Sequence, residues 1–281
     1  MYRTIISPTE LQGMLGDARL VVLDARFSLD DEGWGAAQYA SGHIPGARYA
    51  DCSTHLSGTV IEGRTGRRPF PEPEAFRAQL GAWGIGPGTQ VVAYDASGGL
   101  MAASRVWLML RWMGHDDVAV LDGGLQAWLA DGLPVDDALP AVEPRHFEGV
   151  VRPRMLADVA EVDAVRRDPG HRVLDSRSAD GYHGGGKYYD PVRGHIAGAG
   201  LADRAETLEA DGRFRSPEAL RTHFAGIIDD VPPTQVVFYC GSGITAAQNV
   251  LAMEIAGFSG SRMYVGSWSE WILDPTREVE L

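Results

Sequence analysis

The chain states its pattern twice. Val21-Val22-Leu23-Asp24-Ala25-Arg26 returns as Arg172-Val173-Leu174-Asp175-Ser176-Arg177, and Ser41-Gly42-His43-Ile44-Pro45-Gly46-Ala47 as Arg193-Gly194-His195-Ile196-Ala197-Gly198-Ala199. Val91-Val92-Ala93-Tyr94-Asp95 returns as Val236-Val237-Phe238-Tyr239-Cys240, and Gly123-Gly124-Leu125-Gln126-Ala127-Trp128 as Gly266-Ser267-Trp268-Ser269-Glu270-Trp271. The matches keep one order, so the 281 residues divide into two copies of one unit. The copies are expected at 1–138 and 155–281. The segment between them, 139–154, carries Pro140, Pro144 and Pro153 and no sustained helical period, and reads as a linker.

Each copy alternates short β-branched runs with helical stretches. In the first, Leu20–Leu23, Gln90–Tyr94 and Val118–Leu121 read as buried strands, and Glu74–Trp83 and Ala102–Met113 as helices. Strand and helix in alternation require parallel pairing with helices over both faces, an α/β fold. Ser216-Pro217-Glu218 is a helix start with N-cap, N1 proline and first-turn acid, and Pro71-Glu72-Pro73-Glu74 is its counterpart in the first copy. Trp128 and Trp271 occupy matching places and read as core anchors.

The apolar fraction of 44% and charged fraction of 22% are those of a soluble globular protein. A net charge of −13 argues against a general binder of nucleic acid or anionic membrane, though a local cationic pocket can still hold a small anion. No run approaches the ~18 consecutive apolar residues of a membrane span, and Met1–Pro8 lacks the apolar core of a secretion signal. Cys52 and Cys240, far apart, make neither a metal pair nor a redox motif, and two free thiols in a reducing cytoplasm are expected.

Cys240 ends a buried apolar run and precedes Gly241-Ser242-Gly243-Ile244-Thr245, a small-residue loop that leads into a helix-forming stretch. Converging N–H groups and the positive end of a helix dipole favour a thiolate at such an address, and open parallel sheets bind ligands at the carboxyl ends of their strands. A cysteine that merely caps a strand has no use for this loop. A tyrosine-phosphatase-like cradle would close with an arginine that clamps phosphate; Ala246 stands there, and Tyr239 stands where a histidine is usual.

Leu174-Asp175-Ser176-Arg177, Gly194-His195-Ile196, Tyr239-Cys240-Gly241-Ser242-Gly243-Ile244-Thr245-Ala246 and Gly266-Ser267-Trp268-Ser269-Glu270-Trp271 together resemble the rhodanese superfamily, and the whole chain resembles its two-domain sulfurtransferases. The resemblance implies two tandem rhodanese-like domains. It also implies a Cys240 that takes a sulfane sulfur, becomes a persulfide and hands the sulfur to a thiol or cyanide, with no cofactor and no metal. Asp95 in the place of Cys240 marks the first copy as inactive. The hydroxyl-bearing loop resembles that of the 3-mercaptopyruvate type, whereas thiosulfate-using members carry cations after the cysteine. The implied partners are a small sulfur donor and a thiol acceptor, among them a thioredoxin-like reductant.

Two places depart from that pattern. The arginine expected after the Asp-x-Arg motif is Gly181, followed by Tyr182, leaving His183, Lys187 and Arg193 as candidate substrate-binding residues. The histidine expected in the first copy is Arg68, whereas Asp51 matches the expected aspartate. Arg67 and Arg68 read either as a solvated basic turn or as positive charge for the site. Asp24–Arg26 and Asp175–Arg177, occurring in both copies, read as architectural ion pairs. His43 and His195 read as loop stabilisers for the same reason, and Cys52 as an ordinary thiol.

Overall fold

The computed structural model describes residues 1–96, 102–185 and 189–281. They form two compact units of discontinuous sequence. One comprises Met1–Gly58, Pro71–Arg152 and Glu209–Phe214; the other Thr59–Phe70, Pro153–Leu208 and Arg215–Leu281. The division at Arg152 falls within the expected linker, but the contiguous halves expected from the repeat differ by two exchanged segments, for a local reason in each case. Within the second unit, the Arg67 N–H donates to Ser269 Oγ at 3.0 Å. A Cβ on Gly66 would stand 2.4 Å from the Gly266 carbonyl oxygen, so only glycine permits this approach. Within the first unit, the Phe214 N–H donates to Asp122 Oδ1 at 2.8 Å, with Phe214 buried.

The first unit holds strands β1 (Ile5–Ile6), β2 (Leu20–Asp24), β3 (Arg48–Tyr49), β4 (Gln90–Tyr94) and β5 (Val118–Leu121) in one parallel sheet ordered β1-β5-β4-β2-β3. Its helices are α1 (Pro8–Gln12), α2 (Trp34–Ser41), α3 (Pro73–Ala82), α4 (Ala103–Trp112) and α5 (Gly124–Ala130). Strand β4 is buried along its whole length, as a parallel sheet covered on both faces demands.

The second unit repeats the plan. Strands β6 (Leu156–Ala157), β7 (Arg172–Asp175), β9 (Gly200–Leu201), β10 (Val236–Tyr239) and β11 (Arg262–Tyr264) form a parallel sheet ordered β6-β11-β10-β7-β9. A two-stranded antiparallel ribbon pairs β8 (His195–Ile196) with β12 (Val279–Glu280). The helices are α6 (Val159–Val165), α7 (Ala179–Tyr182), α8 (Pro217–Ile228), α9 (Ala247–Ile255) and α10 (Ser267–Trp271). The α8 start is as read: Ser216 Oγ accepts the Ala219 N–H, with Pro217 at N1 and Glu218 in the first turn. In the first copy, α3 begins at Pro73 without a side-chain cap.

Trp128 anchors one apolar core with Ile6, Val22, Ile44, Val92 and Tyr94. Trp271 anchors its twin with Val162, Val173, Ile196, Val237 and Tyr239. Their indole N–H groups reach the Pro134 and Glu278 carbonyls at 2.8 and 3.1 Å, which satisfies the one polar group each ring buries. Among the described residues, no helix is long and apolar enough to cross a membrane.

Candidate active site

Cys240 follows β10, the middle strand of the second sheet, and its side chain is almost fully enclosed at 1% exposure. The backbone then runs through Gly241–Ala246 into α9, whose N-terminus faces the loop. Burial by itself would push the thiol up. The Thr245 hydroxyl and the N–H groups of Ala246, Ser242 and Gly243 outweigh it, and hold the Cys240 pKa below the ordinary thiol value. The Gly243 N–H donates to Cys240 Sγ at 3.3 Å, and Gly243 itself has φ +81°, a turn that glycine takes without strain. Ser242 and Ile244 are buried within the same loop.

The cysteine's own backbone is pinned from α10. The Cys240 N–H donates to Ser267 Oγ at 3.1 Å, the Trp268 N–H to the Cys240 carbonyl at 3.0 Å and the Ser269 N–H to the Gly241 carbonyl at 2.9 Å. Ser267 Oγ also lies 3.9 Å from Cys240 Sγ and donates to the Tyr264 carbonyl at 2.9 Å. Ser267 has φ +55°, a left-handed conformation that costs a non-glycine residue about 1–3 kcal/mol. Its twin in the repeat, Gly124, has φ +60°. Nothing in the motif reading singled out Ser267; a serine aligned with a glycine is the signal that would have.

The twin of Cys240 puts a carboxyl group at the matching address. Asp95 follows β4, buried, with its Oδ2 accepting the Ala103 N–H at 2.9 Å and its carbonyl accepting the Leu125 N–H at 2.9 Å. The ion pairs of the two copies superpose in detail. Arg26 binds Asp24 at 2.6 Å and the Gly42 carbonyl at 2.7 Å; Arg177 binds Asp175 at 2.6 Å and the Gly194 carbonyl at 2.7 Å. His43 and His195 hold loop backbone through their Nδ1 atoms, to the Tyr39 and Tyr182 carbonyls at 2.8 and 3.0 Å, and stack on those tyrosine rings. All four brace loop backbone, and the Arg177 guanidinium also feels charge on Cys240, with its Cδ 4.0 Å from where a Cβ on Gly241 would be. Neither Cys52 nor Cys240 is in a disulfide, and Cys52 is fully buried in the first unit.

The candidate substrate-binding residues separate. His183 caps α7, exposed, with its ring edge-on to Tyr182. Arg193 is exposed, with its Cβ against Gly184. Lys187 lies outside the described residues. Arg68 is half-buried beside Arg67, whose guanidinium feels its charge. Arg67 itself stands over the cysteine loop: its Nη2 is 3.7 Å from where a Cβ on Gly241 would be, and its charge couples to Cys240. Gly181, in α7, donates its N–H to Ser178 Oγ at 3.3 Å. Asp51 closes a turn by accepting the Ser53 and Thr54 N–H groups at 2.7 and 2.9 Å.

The arrangement is that of an enclosed thiol in a nest of donors that favour its anion. Residues 7–131 and 158–274 each match the rhodanese-like domain. A probable 3-mercaptopyruvate sulfurtransferase of Pseudomonas aeruginosa is 42% identical over 276 residues, covering 98% of this chain and 97% of that one. A putative thiosulfate sulfurtransferase of Mycobacterium tuberculosis is 34% identical, covering 99% and 96%. The solved structure of 3-mercaptopyruvate sulfurtransferase from Leishmania major superposes with a TM-score of 0.84 at 31% identity, over 96% of this chain and 74% of that one. Two matched domains, relatives aligned end to end and a cysteine loop at the carboxyl end of the second sheet converge: the chain belongs to the rhodanese family of sulfurtransferases.

Proposed function

We propose that this protein moves a sulfane sulfur from 3-mercaptopyruvate through a persulfide on Cys240 to a thiol or cyanide. The observation that carries the reading is the enclosed Cys240 thiol whose pKa is held down by Thr245 and by the loop N–H groups. The name of the Pseudomonas relative supports the choice of donor.

Thiolate Sγ attacks the sulfur of mercaptopyruvate, the carbon–sulfur bond breaks, and the departing pyruvate enolate takes the proton that the sulfur carried. Cys240 is left as a persulfide. An acceptor thiolate then attacks the outer sulfur and releases the Cys240 thiolate, so each half-reaction balances without an external oxidant. Loop N–H groups that favour the thiolate also favour the persulfide anion, because both concentrate negative charge at the same nest.

Thiosulfate, with sulfite as the leaving group, is the second donor, supported by the name of the Mycobacterium relative. Two cysteines outside any disulfide support a reducing, cytoplasmic setting, in which a small thiol or a thioredoxin-like reductant takes the sulfur. Steady-state turnover with each donor tests the reading. Cys240→Ser is expected to abolish transfer from both while the protein melts at its native temperature; retained turnover in that variant would sink the assignment.

A further inference from the structure

Sulfur donors of this class are anions, and the nest around Cys240 holds the reacting sulfur, not the rest of the molecule. A cation beside the thiol is therefore required. In the second unit Arg67 and Arg177 both approach the Gly241 position, but Arg177 is committed to Asp175 and the Gly194 carbonyl, which leaves Arg67 as the candidate. It comes from Thr59–Phe70, a segment numbered with the first copy but folded into the second unit. Its backbone is fixed by the Arg67 N–H to Ser269 Oγ bond at 3.0 Å, one residue along from the α10 groups that pin Cys240. Its Nη2 stands 3.7 Å from the Cβ position of Gly241, the residue after the cysteine. Its Nη1 donates to Asp190 Oδ1, and the Asp190 side chain is mostly enclosed, at 13% exposure.

We propose that Arg67 is the cation that receives the negatively charged group of the sulfur donor, and that Asp190 is the carboxylate this group displaces. A guanidinium fork reads carboxylates by paired N–H donors, so a donor carboxylate and Asp190 compete for the same chemistry. The bound Asp190 thereby acts as an internal stand-in for the donor. It keeps a half-buried guanidinium neutralised when the site is empty, and it sets how tightly an anion must bind to replace it. Burial depresses the Arg67 guanidinium and negative charge on Cys240 opposes that, as expected for a cation facing the reacting sulfur. The assignment rests on Cys240 being the sulfur-accepting thiol.

The test compares alkylation of Cys240 by anionic iodoacetate and neutral iodoacetamide in the full-length protein, for wild type, Arg67→Met, Arg67→Lys and Asp190→Asn. The ratio of the two rates cancels changes in thiol reactivity and needs no sulfur transfer. Arg67→Met is expected to lower the ratio about tenfold or more, as loss of a charge-assisted contact implies. Arg67→Lys should retain part of it, and Asp190→Asn should raise it. In turnover, Arg67→Met should raise KM for mercaptopyruvate by about tenfold to a hundredfold with a smaller change in kcat, and Asp190→Asn should lower KM. An unchanged ratio in Arg67→Met overturns the proposal. So do Arg67→Met and Asp190→Asn shifting the ratio in the same direction, because an ion pair that only braces the loop loses the same thing from either side. If the ratios behave as expected while wild type transfers no sulfur from either donor, the anion site stands and the sulfurtransferase assignment falls.

Discussion

Among the groups that favour the Cys240 thiolate, the Thr245 hydroxyl has the largest effect, ahead of the Ala246, Ser242 and Gly243 N–H groups. Thr245→Val keeps the side chain's shape and removes the donor. Its expected result is a raised Cys240 pKa, because a hydrogen bond to the charged form is lost. The sign follows from the chemistry: the reactive form is the anion, so the rate falls as pH drops through the thiol pKa, and a raised pKa moves that limb upward. At pH below the thiol pKa the variant should be slower, with the deficit shrinking as pH rises and vanishing above the variant's own pKa. A pH profile of iodoacetamide alkylation checks this, and a profile that is lower at every pH by one factor would refute it. Ser267 makes a second test. Removing its hydroxyl leaves the buried Cys240 N–H without that acceptor, at a cost of about 1–3 kcal/mol. Ser267→Gly should recover about 1 kcal/mol of that relative to Ser267→Ala, because glycine takes φ +55° without strain, as Gly124 does at φ +60°. Denaturant melts of the two variants should rank glycine above alanine.

At the scale of elements, the repeated Asp-x-Arg motif ties each strand to its neighbours. Asp175, at the end of β7, is fully buried; Arg177 bridges it to the Gly194 carbonyl ahead of β8, and the Tyr239 hydroxyl at the end of β10 accepts the Ile196 N–H at 3.1 Å. Asp24, Arg26, Gly42, Tyr94 and Ile44 repeat every part of this clasp, with the Tyr94 hydroxyl donating to Asp24 Oδ2 at 2.7 Å. Arg177→Met or Arg26→Met strands a buried carboxylate, and each is expected to cost about 3–5 kcal/mol. Equal losses in the two copies, measured by chemical denaturation, would bear out a purely architectural role. This clasp was legible in the sequence because both copies state it, as were the central strands, the Ser216 cap and the cysteine loop, all built from residues close together along the chain. Arg67 was legible only as one of two open readings, because its place depends on a contact with Ser269, 202 residues away in sequence. The left-handed turn at Ser267 was hidden for a different reason: serine is not a residue whose presence signals φ > 0.

For the molecule as a whole, each copy follows the middle strand of its sheet with a polar residue ahead of a helix, Asp95 in the first and Cys240 in the second. Both addresses favour negative charge. In the first unit the buried Asp95 side chain accepts the Ala103 N–H in the first turn of α4, where the helix dipole favours an anion. In the second unit the loop donors hold the Cys240 thiol pKa below its ordinary value. A strand end ahead of a helix start therefore holds a carboxyl group in one unit and a thiol in the other. Asp95→Cys tests whether the address alone makes a persulfide. By the order of the repeat the first copy carries Leu100 where the second has Thr245, so the strongest thiolate donor is missing from its sequence. The variant is expected to load one sulfur per chain from mercaptopyruvate, on Cys240, as wild type does. It should also be less stable by about 0.5–2 kcal/mol, the range for a lost helix-end carboxylate. Intact-mass analysis after donor treatment counts the sulfurs. Two per chain would mean that the strand end and helix start suffice, and that the hydroxyl-bearing loop is not what makes Cys240 reactive.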